Sequence, residues 1–431
     1  MPNTDVIAGL LDFLRRSPTP FHAVANMACE LEKNGFQRLR EADRWDLRPG
    51  ERYYTERNGS SMVAFGLPGD PVTDGIRMIG AHTDSPCLKI KPEPDITAHG
   101  YLQLGVEVYG GALLNPWFDR DLSIAGRLTC VDRNGALTHA LIDFERPVAV
   151  IPSLAIHLDR EANTSRAVNA QNDLPPIVAV DNAQSFRSWL LERLKAQYPD
   201  TTADEVSDYE LCLYDTQPAA RVGMDDEFIA GARLDNLVSC YIGLRSLLDE
   251  SGDRPGLLIC NDHEEVGSVS SIGAQGTFLK SIVERIAGSR ETFTRVVDRS
   301  MLISADNAHG VHPNFADRHD KNHGPLLNGG PVIKINANQR YASNSETSGV
   351  FRHVCKQLDI PLQTFVIRSD MACGSTIGPL TASEVGVRTL DIGIPQFAMH
   401  SVRELCGTAD IGHLYRALRG FLRTPVSLIP A

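Results

Sequence analysis

The chain has 431 residues, of which 42% are hydrophobic, 22% charged and 6% aromatic, and this composition excludes a disordered chain, a collagen-like repeat and a small disulfide scaffold. Lys and Arg total 42 against 54 Asp and Glu, so the formal net charge is −12. Such an acidic field disfavours nucleic acids and anionic membrane surfaces. We therefore expect a globular protein that has neither nucleic acid nor a membrane as its partner.

The chain carries no pattern of secretion or membrane insertion. No apolar run approaches the ~20 residues needed to cross a bilayer. Asp5 and Asp12 interrupt the short apolar stretch near the N-terminus, which is unlike a secretion signal. The nine cysteines are scattered and form no C-x-x-C pair. An odd number of thiols without a secretion signal indicates a reducing compartment, so we expect a cytoplasmic location.

The first part of the chain is predicted to be helical and then to enter a sheet. Apolar residues recur at helical spacing between Val6 and Leu14, and the segment 17–20 interrupts them before a second helix. Residues 75–82 form a short apolar run that is typical of a buried strand and ends at His82.

The pattern changes at about residue 93. Apolar residues alternate over 102–108, and Asn134-Gly135 separates two strand-like runs as a hairpin turn does. Residues 93–225 are therefore predicted to form an inserted β-rich domain that is mostly antiparallel and contains a helix near 186–194.

The last third of the chain alternates between helix and strand patterns. Residues 237–248 fit a helix, residues 256–260 fit a buried strand, and further strand-like runs begin at Met301, Val332, Phe365 and Val387. This alternation predicts an α/β fold with a mostly parallel sheet flanked by helices. The catalytic domain would then be discontinuous, with residues 1–92 and 226–431 on either side of the insertion at 93–225.

Five short segments place metal-ligand side chains directly after an apolar strand or in the loop that follows it. They contain His82 with Asp84, then Asp235, Glu264 with Glu265, Asp306 and His400. In open α/β sheets the functional crevice lies at the carboxyl ends of the strands, where such segments converge. Two imidazoles with three or four carboxylates suit a pair of zinc-like ions. A carboxylate that bridges both ions would hold them ~3.5–4 Å apart.

Each segment alone also permits a structural interpretation. Asp235 can cap the helix that follows it, and two adjacent acidic residues such as Glu264 and Glu265 are commonly a solvated pair. This pair, however, directly follows the apolar run 257–260. Because successive strand residues point to opposite sides, one Glu could ligate a metal while the other faces a metal-bound water. The five segments together favour a metal centre.

These segments, in this order, resemble the aspartyl aminopeptidase family of dinuclear zinc metallopeptidases. The resemblance runs from residue 17 to about residue 406. It is carried by DHEEVGS (262–268), SADNAHGVHPN (304–314), KINANQRYA (334–342), CGSTIGP (373–379) and MHSVRE (399–404). Several such motifs in one order are highly specific, and they imply a zinc-peptidase-like catalytic fold.

The resemblance also implies roles for individual residues. Two Zn²⁺ per subunit would be held by His82, Asp235, Glu265, Asp306 and His400. Asp235 would bridge the ions, with His82 and Asp306 completing one site and Glu265 and His400 the other. Asp84 would fix the tautomer of His82, and Glu264 would be the general base that takes a proton from a metal-bound water. The same ligand types also accept Mn²⁺ or Co²⁺.

Two further residues are assigned to substrate binding by the resemblance. Lys334 would read the acidic side chain of the first substrate residue, whereas the residues alone also allow a lysine that extends from an edge strand into solvent. His157 would reach the active site of a neighbouring subunit and contact substrate there. It could instead be a structural histidine or a metal ligand.

The expected function is a metal-dependent aminopeptidase that removes N-terminal Asp or Glu from peptides. As an assembly, the resemblance implies a homo-oligomer built from dimers that form through the inserted domain, arranged as a dodecamer. Two alternatives keep the metals: an aminopeptidase for neutral or basic N-termini, and a deacylase of N-acyl amino acids. A third is a catalytically silent assembly protein.

Overall fold

A computed structural model describes residues 3–180, 184–250 and 252–429. The helices in these residues are α1 (Asn3–Arg16), α2 (Pro20–Lys33), α3 (Pro71–Asp74), α4 (Phe186–Gln197), α5 (Leu234–Leu248), α6 (Phe278–Ala287), α7 (Arg290–Asp298), α8 (Ser345–Gln357), α9 (Ile377–Val385) and α10 (Thr408–Leu422). Within the same residues, no helix is both long enough and apolar enough to cross a membrane.

The strands of the first half of the chain are β1 (Gln37–Arg38), β2 (Arg52–Arg57), β3 (Ser61–Gly66), β4 (Arg77–His82), β5 (Cys87–Ala98), β6 (Tyr101–Tyr109), β7 (Leu122–Asp132), β8 (Leu137–Asp143), β9 (Ile177–Val180) and β10 (Ala203–Asp215). Those of the second half are β11 (Ala220–Val222), β12 (Phe228–Gly231), β13 (Gly256–Asn261), β14 (Met301–Ala305), β15 (Ala308–His309), β16 (Val332–Lys334), β17 (Gln363–Phe365), β18 (Arg388–Gly393), β19 (Pro395–Phe397) and β20 (Glu404–Gly407).

The chain divides into two compact units. The first contains the described residues up to Asp84, those from 219 to 399 and those from Glu404 onward, and the second contains residues 85–218 and 400–403. The boundaries expected from the sequence, after residues 92 and 225, fall inside β5 and between β11 and β12.

The first unit is built on a nine-stranded sheet in the order β1-β2-β3-β13-β4-β14-β18-β16-β17. Its centre is parallel, because β13, β4, β14 and β18 run side by side in the same direction. Antiparallel pairs flank this centre, between β3 and β13 on one side and between β16 and β18 on the other. The predicted α/β fold with helices on a mostly parallel sheet is confirmed.

Both faces of this sheet are buried, which explains the unbroken apolar runs of its strands. Along β13, Leu258 and Cys260 pack into the core under α1, α2, α5, α8 and α10. Leu257 and Ile259 point the other way, into the core formed with α6 and α7. Side chains alternate in this way because successive strand residues face opposite sides of the sheet.

A smaller sheet in the same unit has the order β11-β12-β20-β19-β15. In it, Gly231 at the end of β12 pairs with Glu404 at the start of β20. This pairing brings Glu404 beside the loop that leads from β12 into α5.

The second unit contains a six-stranded sheet in the order β8-β7-β10-β5-β6-β9, in which every pair is antiparallel. The predicted hairpin at Asn134-Gly135 joins β7 to β8, and the predicted helix near 186–194 is α4. Phe186, Leu190 and Leu194 of α4 belong to the core of this unit.

Candidate metal centre

Three parallel strands deliver acidic and imidazole side chains to one edge of the nine-stranded sheet. His82 is the last residue of β4, Asp306 directly follows β14, and the segment 262–265 follows β13. The register pairs Asn261 with His82, so the ends of β13 and β4 lie level. This is the carboxyl edge at which α/β sheets carry their sites.

His82, Asp235 and Asp306 form a compact set of ligand atoms. Each offers an atom that lies within 4.8 Å of the others. His82 Nε2 is 3.6 Å from Asp235 Oδ1 and 3.6 Å from Asp306 Oδ1. Asp235 and Asn236 have non-helical backbone angles at the start of α5, with φ of −85° and ψ of 104° at Asp235, so the chain is kinked there. His82 also forms a second set of potential ligands with Glu264 and Glu265.

The Asp84 carboxylate connects this histidine to the two glutamates. Its Oδ1 and Oδ2 accept the backbone N–H groups of Glu264 and Glu265 at 3.1 and 3.0 Å. His82 Nδ1 is 3.4 Å from Asp84 Oδ1 and 3.1 Å from the Asp84 carbonyl oxygen. With only acceptors beside it, Nδ1 carries the proton of the neutral ring, which leaves the lone pair on Nε2 to face the carboxylates.

Glu264 and Glu265 do not lie on a strand, and the sequence-based argument that placed them on opposite sides of one is wrong. β13 ends at Asn261, and residues 264–266 form a 3₁₀ turn. His263 adopts a left-handed backbone conformation with φ of 65°, which ends the strand direction. A carboxylate oxygen of each glutamate then lies within 4.8 Å of a ring nitrogen of His82.

The site concentrates negative charge out of water. Burial raises the pKa of Glu264 to about 8; His82 opposes this shift, while Asp306, Asp84 and Asp235 add to it. Burial, followed by the charge of Asp235, likewise raises the pKa of Glu265 well above its usual range. Carboxylates crowded in this way need either protons or cations. Their oxygens with one imidazole nitrogen are a donor set that fits zinc.

Lys334 supplies one cation to this cluster. Its Nζ lies 3.2 Å from Asp306 Oδ2 and donates to the Asn307 carbonyl oxygen at 3.2 Å. Although burial alone would raise the pKa of Asp306, the ammonium of Lys334 and the nearby imidazole of His82 lower it. The lysine is only 2% exposed, so it does not extend into solvent from the edge of the sheet.

Two buried carboxylates near the site were missed in the sequence. Glu404 Oε2 accepts the backbone N–H of Asp235 at 3.0 Å. Asp391 accepts the Thr376 hydroxyl and the Ala342 N–H, each at 2.6 Å, and so ties the CGSTIGP segment to the KINANQRYA segment. A charged residue inside the apolar strand β18 was the available signal for Asp391.

The two remaining candidates, His400 and His157, belong to the second unit. His400 Nδ1 lies 3.1 Å from the Gly111 carbonyl oxygen, an arrangement that leaves Nε2 as its acceptor atom. His157 is exposed in the long connection between β8 and β9. The roles of both histidines stay predictions.

A buried set of His and carboxylate donors at the carboxyl edge of an α/β sheet is the arrangement expected of a zinc-dependent enzyme. Residues 13–422 match the family described as aminopeptidase I zinc metalloprotease (M18). The chain therefore belongs to the M18 family of zinc aminopeptidases, which confirms the resemblance found in the sequence.

Relatives match over nearly the whole chain. A probable M18 family aminopeptidase 2 of Ectopseudomonas mendocina is 58% identical over 425 residues, which cover 98% of this chain and 99% of the relative. A chain of the cryo-EM structure of the Ape4 and Nbr1 complex is 38% identical with a TM-score of 0.94, covering 97% of this chain and 86% of its own. The S. cerevisiae mApe1 dodecamer is 30% identical with a TM-score of 0.85, covering 99% and 98%.

Zinc affinity should rise with pH. At neutral pH the zinc-free site holds protons, because the pKa of Glu264 is raised to about 8. The pKa of His82 is also raised: burial opposes this, but the neighbouring carboxylates of Asp235, Asp306 and Asp84 outweigh it. Zinc must displace these protons, so acid competes with the metal. Calorimetric titration with zinc in buffers of different ionisation enthalpy should show proton release near neutral pH and tighter binding above about pH 8. Binding without proton release would contradict this assignment.

Proposed function

We propose that the protein removes N-terminal Asp or Glu residues from peptides, at a centre that holds two zinc ions, with Lys334 as the residue that selects the acidic side chain. The main support for this proposal is the buried ammonium of Lys334, whose Nζ lies 3.2 Å from Asp306 Oδ2. An acidic side chain whose backbone is bound beside Asp306 would lie within reach of this ammonium.

The hydrogen-bonding capacity of Lys334 supports this role. An ammonium group has three donors, and two are directed to Asp306 and the Asn307 carbonyl oxygen. The Nζ also lies 5.2 Å from the centre of the Tyr341 ring, whose face favours a cation. A substrate carboxylate could take the third donor. A neutral side chain would leave that N–H group without an acceptor, which is costly at a buried site.

Glu264 is proposed as the general base. When zinc is bound, it lowers the pKa of water and polarises the scissile carbonyl. The Glu264 carboxylate takes the proton of the attacking water and later gives it to the leaving amine. The backbone N–H bond from Glu264 to Asp84 fixes the turn that carries this side chain. His82, Asp235, Glu265 and Asp306 are proposed to hold the metal, and Mn²⁺ or Co²⁺ would suit the same donors.

Replacing Lys334 by Met tests the acidic pocket. Loss of a buried charge-paired donor should lower kcat/KM for Asp and Glu peptides by about 100-fold. Peptides that differ only in having Ala or Leu first should be affected no more than about threefold, since their side chains make no ion pair there. The measurement is turnover of the matched peptide series by the zinc-loaded variant.

A control separates two explanations of a loss in Lys334→Met. Lys356 is exposed on α8, so Lys356→Met should leave both activity and selectivity unchanged. Equal loss on all peptides, together with weaker zinc binding, would show that Lys334 acts only by holding Asp306. That result would contradict the acidic specificity and leave the aminopeptidase activity standing.

Glu264→Gln tests the proton transfer. The amide keeps the size of the side chain but has no basic carboxylate, so kcat should fall by at least about 100-fold. Zinc content, measured by elemental analysis, should stay at the wild-type value if Glu264 is a base rather than a ligand. Full turnover by this variant would exclude the proposed mechanism.

We also propose a cytoplasmic dodecamer built from dimers that form through the second unit. The relative from S. cerevisiae is a dodecamer, and the cysteine pattern fits a reducing compartment. In the second unit, Leu154, Ile156 and Leu158 are 51%, 46% and 75% exposed and flank His157. Exposed apolar groups of this kind mark interaction sites, which would bring His157 to a neighbouring subunit.

Light scattering with size-exclusion chromatography tests this assembly. The wild-type protein should elute with the mass of about twelve chains, and Leu158→Glu should reduce that mass because it places a charge in an apolar contact. His157→Ala should keep the full mass while raising KM for acidic peptides. A monomeric wild-type protein with full activity would contradict the proposal.

A further inference from the structure

Two Asp-Asn pairs lie at the metal centre, and each asparagine binds the segment of the other pair. Asn236 Nδ2 donates to the Ala305 carbonyl oxygen at 2.8 Å. Asn307 Nδ2 donates to the Leu234 carbonyl oxygen at 3.0 Å. Ala305 and Leu234 are the residues directly before the two aspartates. The amides therefore form a reciprocal pair of bonds, here called the amide clamp, between the segments of Asp306 and Asp235.

Both asparagines are almost completely buried, at 0% exposure for Asn236 and 3% for Asn307. At such depth a hydrogen bond is strong and a lost partner is costly. The second proton of the Asn307 amide faces Gln396 Oε1 at 2.5 Å, so both of its N–H groups have acceptors. Aspartate at either position would place a negative oxygen against a carbonyl oxygen, so the chemistry requires the amide.

Each clamped segment is also anchored to its own part of the first unit. On the β14 side, the N–H groups of Asp306 and Ala308 donate to the carbonyl oxygens of Ile392 and Ile394, each at 2.8 Å. On the α5 side, the N–H of Asp235 donates to Glu404. These bonds fix each segment separately, and the amide clamp joins the one to the other.

Close packing leaves the Asp306 segment little freedom to adjust. A Cβ built on Gly393 would lie 1.9 Å from the Asp306 carbonyl oxygen. The backbones of β18 and the Asp306 segment are therefore in direct contact, and displacement of Asp306 is restricted on this side. The amide clamp restricts it on the side of Asp235.

We propose that Asn236 and Asn307 are positioning residues that set the separation of the Asp235 and Asp306 carboxylates before zinc binds, which rests on the proposed role of both aspartates as ligands. Two like charges held close together repel each other. The amide clamp opposes that repulsion through the backbone, since neither amide touches a carboxylate in the bonds described. A preorganised pair of ligands binds metal without the cost of bringing it together.

Zinc affinity of the zinc-free protein is the direct readout. Asn236→Ala and Asn307→Ala should each raise the zinc dissociation constant about 10- to 100-fold, the range found when groups that orient metal ligands are removed. The double variant should lose less than the product of the two single losses, because both bonds fix the same separation. Competition against a chromophoric zinc chelator measures these constants without any substrate.

Asn26→Ala is the matched control. Asn26 Nδ2 donates to the Arg16 carbonyl oxygen at 2.7 Å and joins α1 to α2; the bonds of its side chain go to Arg16 and Ser17 rather than to residues 234–236 or 305–307. The Asn26→Ala variant should have a lower melting temperature in the zinc-free protein, while its zinc affinity stays within about twofold of wild type. If an alanine variant at the clamp does not fold, Asn236→Ser or Asn307→Ser replaces it. The serine side chain is too short to reach the carbonyl oxygen of the other segment, so the same loss of zinc affinity is expected.

The outcomes distinguish this proposal from the proposed function. Folded clamp variants that bind zinc as tightly as wild type would overturn the positioning role while leaving the zinc centre intact. A wild-type protein that binds no zinc would instead remove the premise that the two aspartates are ligands. A tenfold or larger loss at the clamp positions, absent from Asn26→Ala, is the expected result.

Discussion

The structure depends on negative charge that is held out of water at the carboxyl edge of the central sheet. Asp84, Asp235 and Asp306 are buried there, with Glu264 and Glu265 half-buried beside them. A single lysine cannot balance so many carboxylates, and the raised pKa values of Glu264 and Glu265 express that imbalance. A bound cation resolves it. The crowding of these carboxylates therefore favours a bound cation at this position.

The sequence predicted most of the fold because the apolar patterns are unambiguous. α1 and α2 follow helical spacing, and the strand that ends at His82 is an unbroken apolar run. The sequence pattern placed the start of β17 at Phe365, whereas the strand begins at Gln363 and ends at Phe365. The conformation of residues 264–266 was also missed, because a 3₁₀ turn capped by the distant Asp84 leaves no local pattern. Such contacts depend on tertiary structure, which propensity does not contain.

The candidate site was predicted from residue types and from the order of the motifs. The hydrogen bonds that hold its segments in place were not predicted. His82, Asp235 and Asp306 were identified by their chemistry and lie together. Asn236 and Asn307 were not singled out, since an asparagine beside an aspartate has no distinctive pattern in one sequence. Their significance lies in bonds to the carbonyl oxygens of Leu234 and Ala305, about seventy residues apart in the chain. Candidate ligand residues can therefore be named from sequence, whereas the spacing of their side chains is a property of the fold.

The metal centre can be tested directly by an anomalous-difference map at the zinc absorption edge, from crystals of the zinc-loaded protein. If this cluster is the metal centre, a peak should lie within ~2.0–2.2 Å of His82 Nε2 and of carboxylate oxygens of Asp235 and Asp306. A second peak should lie about 3.5–4 Å from the first, on the other side of Asp235. A zinc-loaded crystal with no peak beside His82 would contradict the assignment of this cluster as the metal centre.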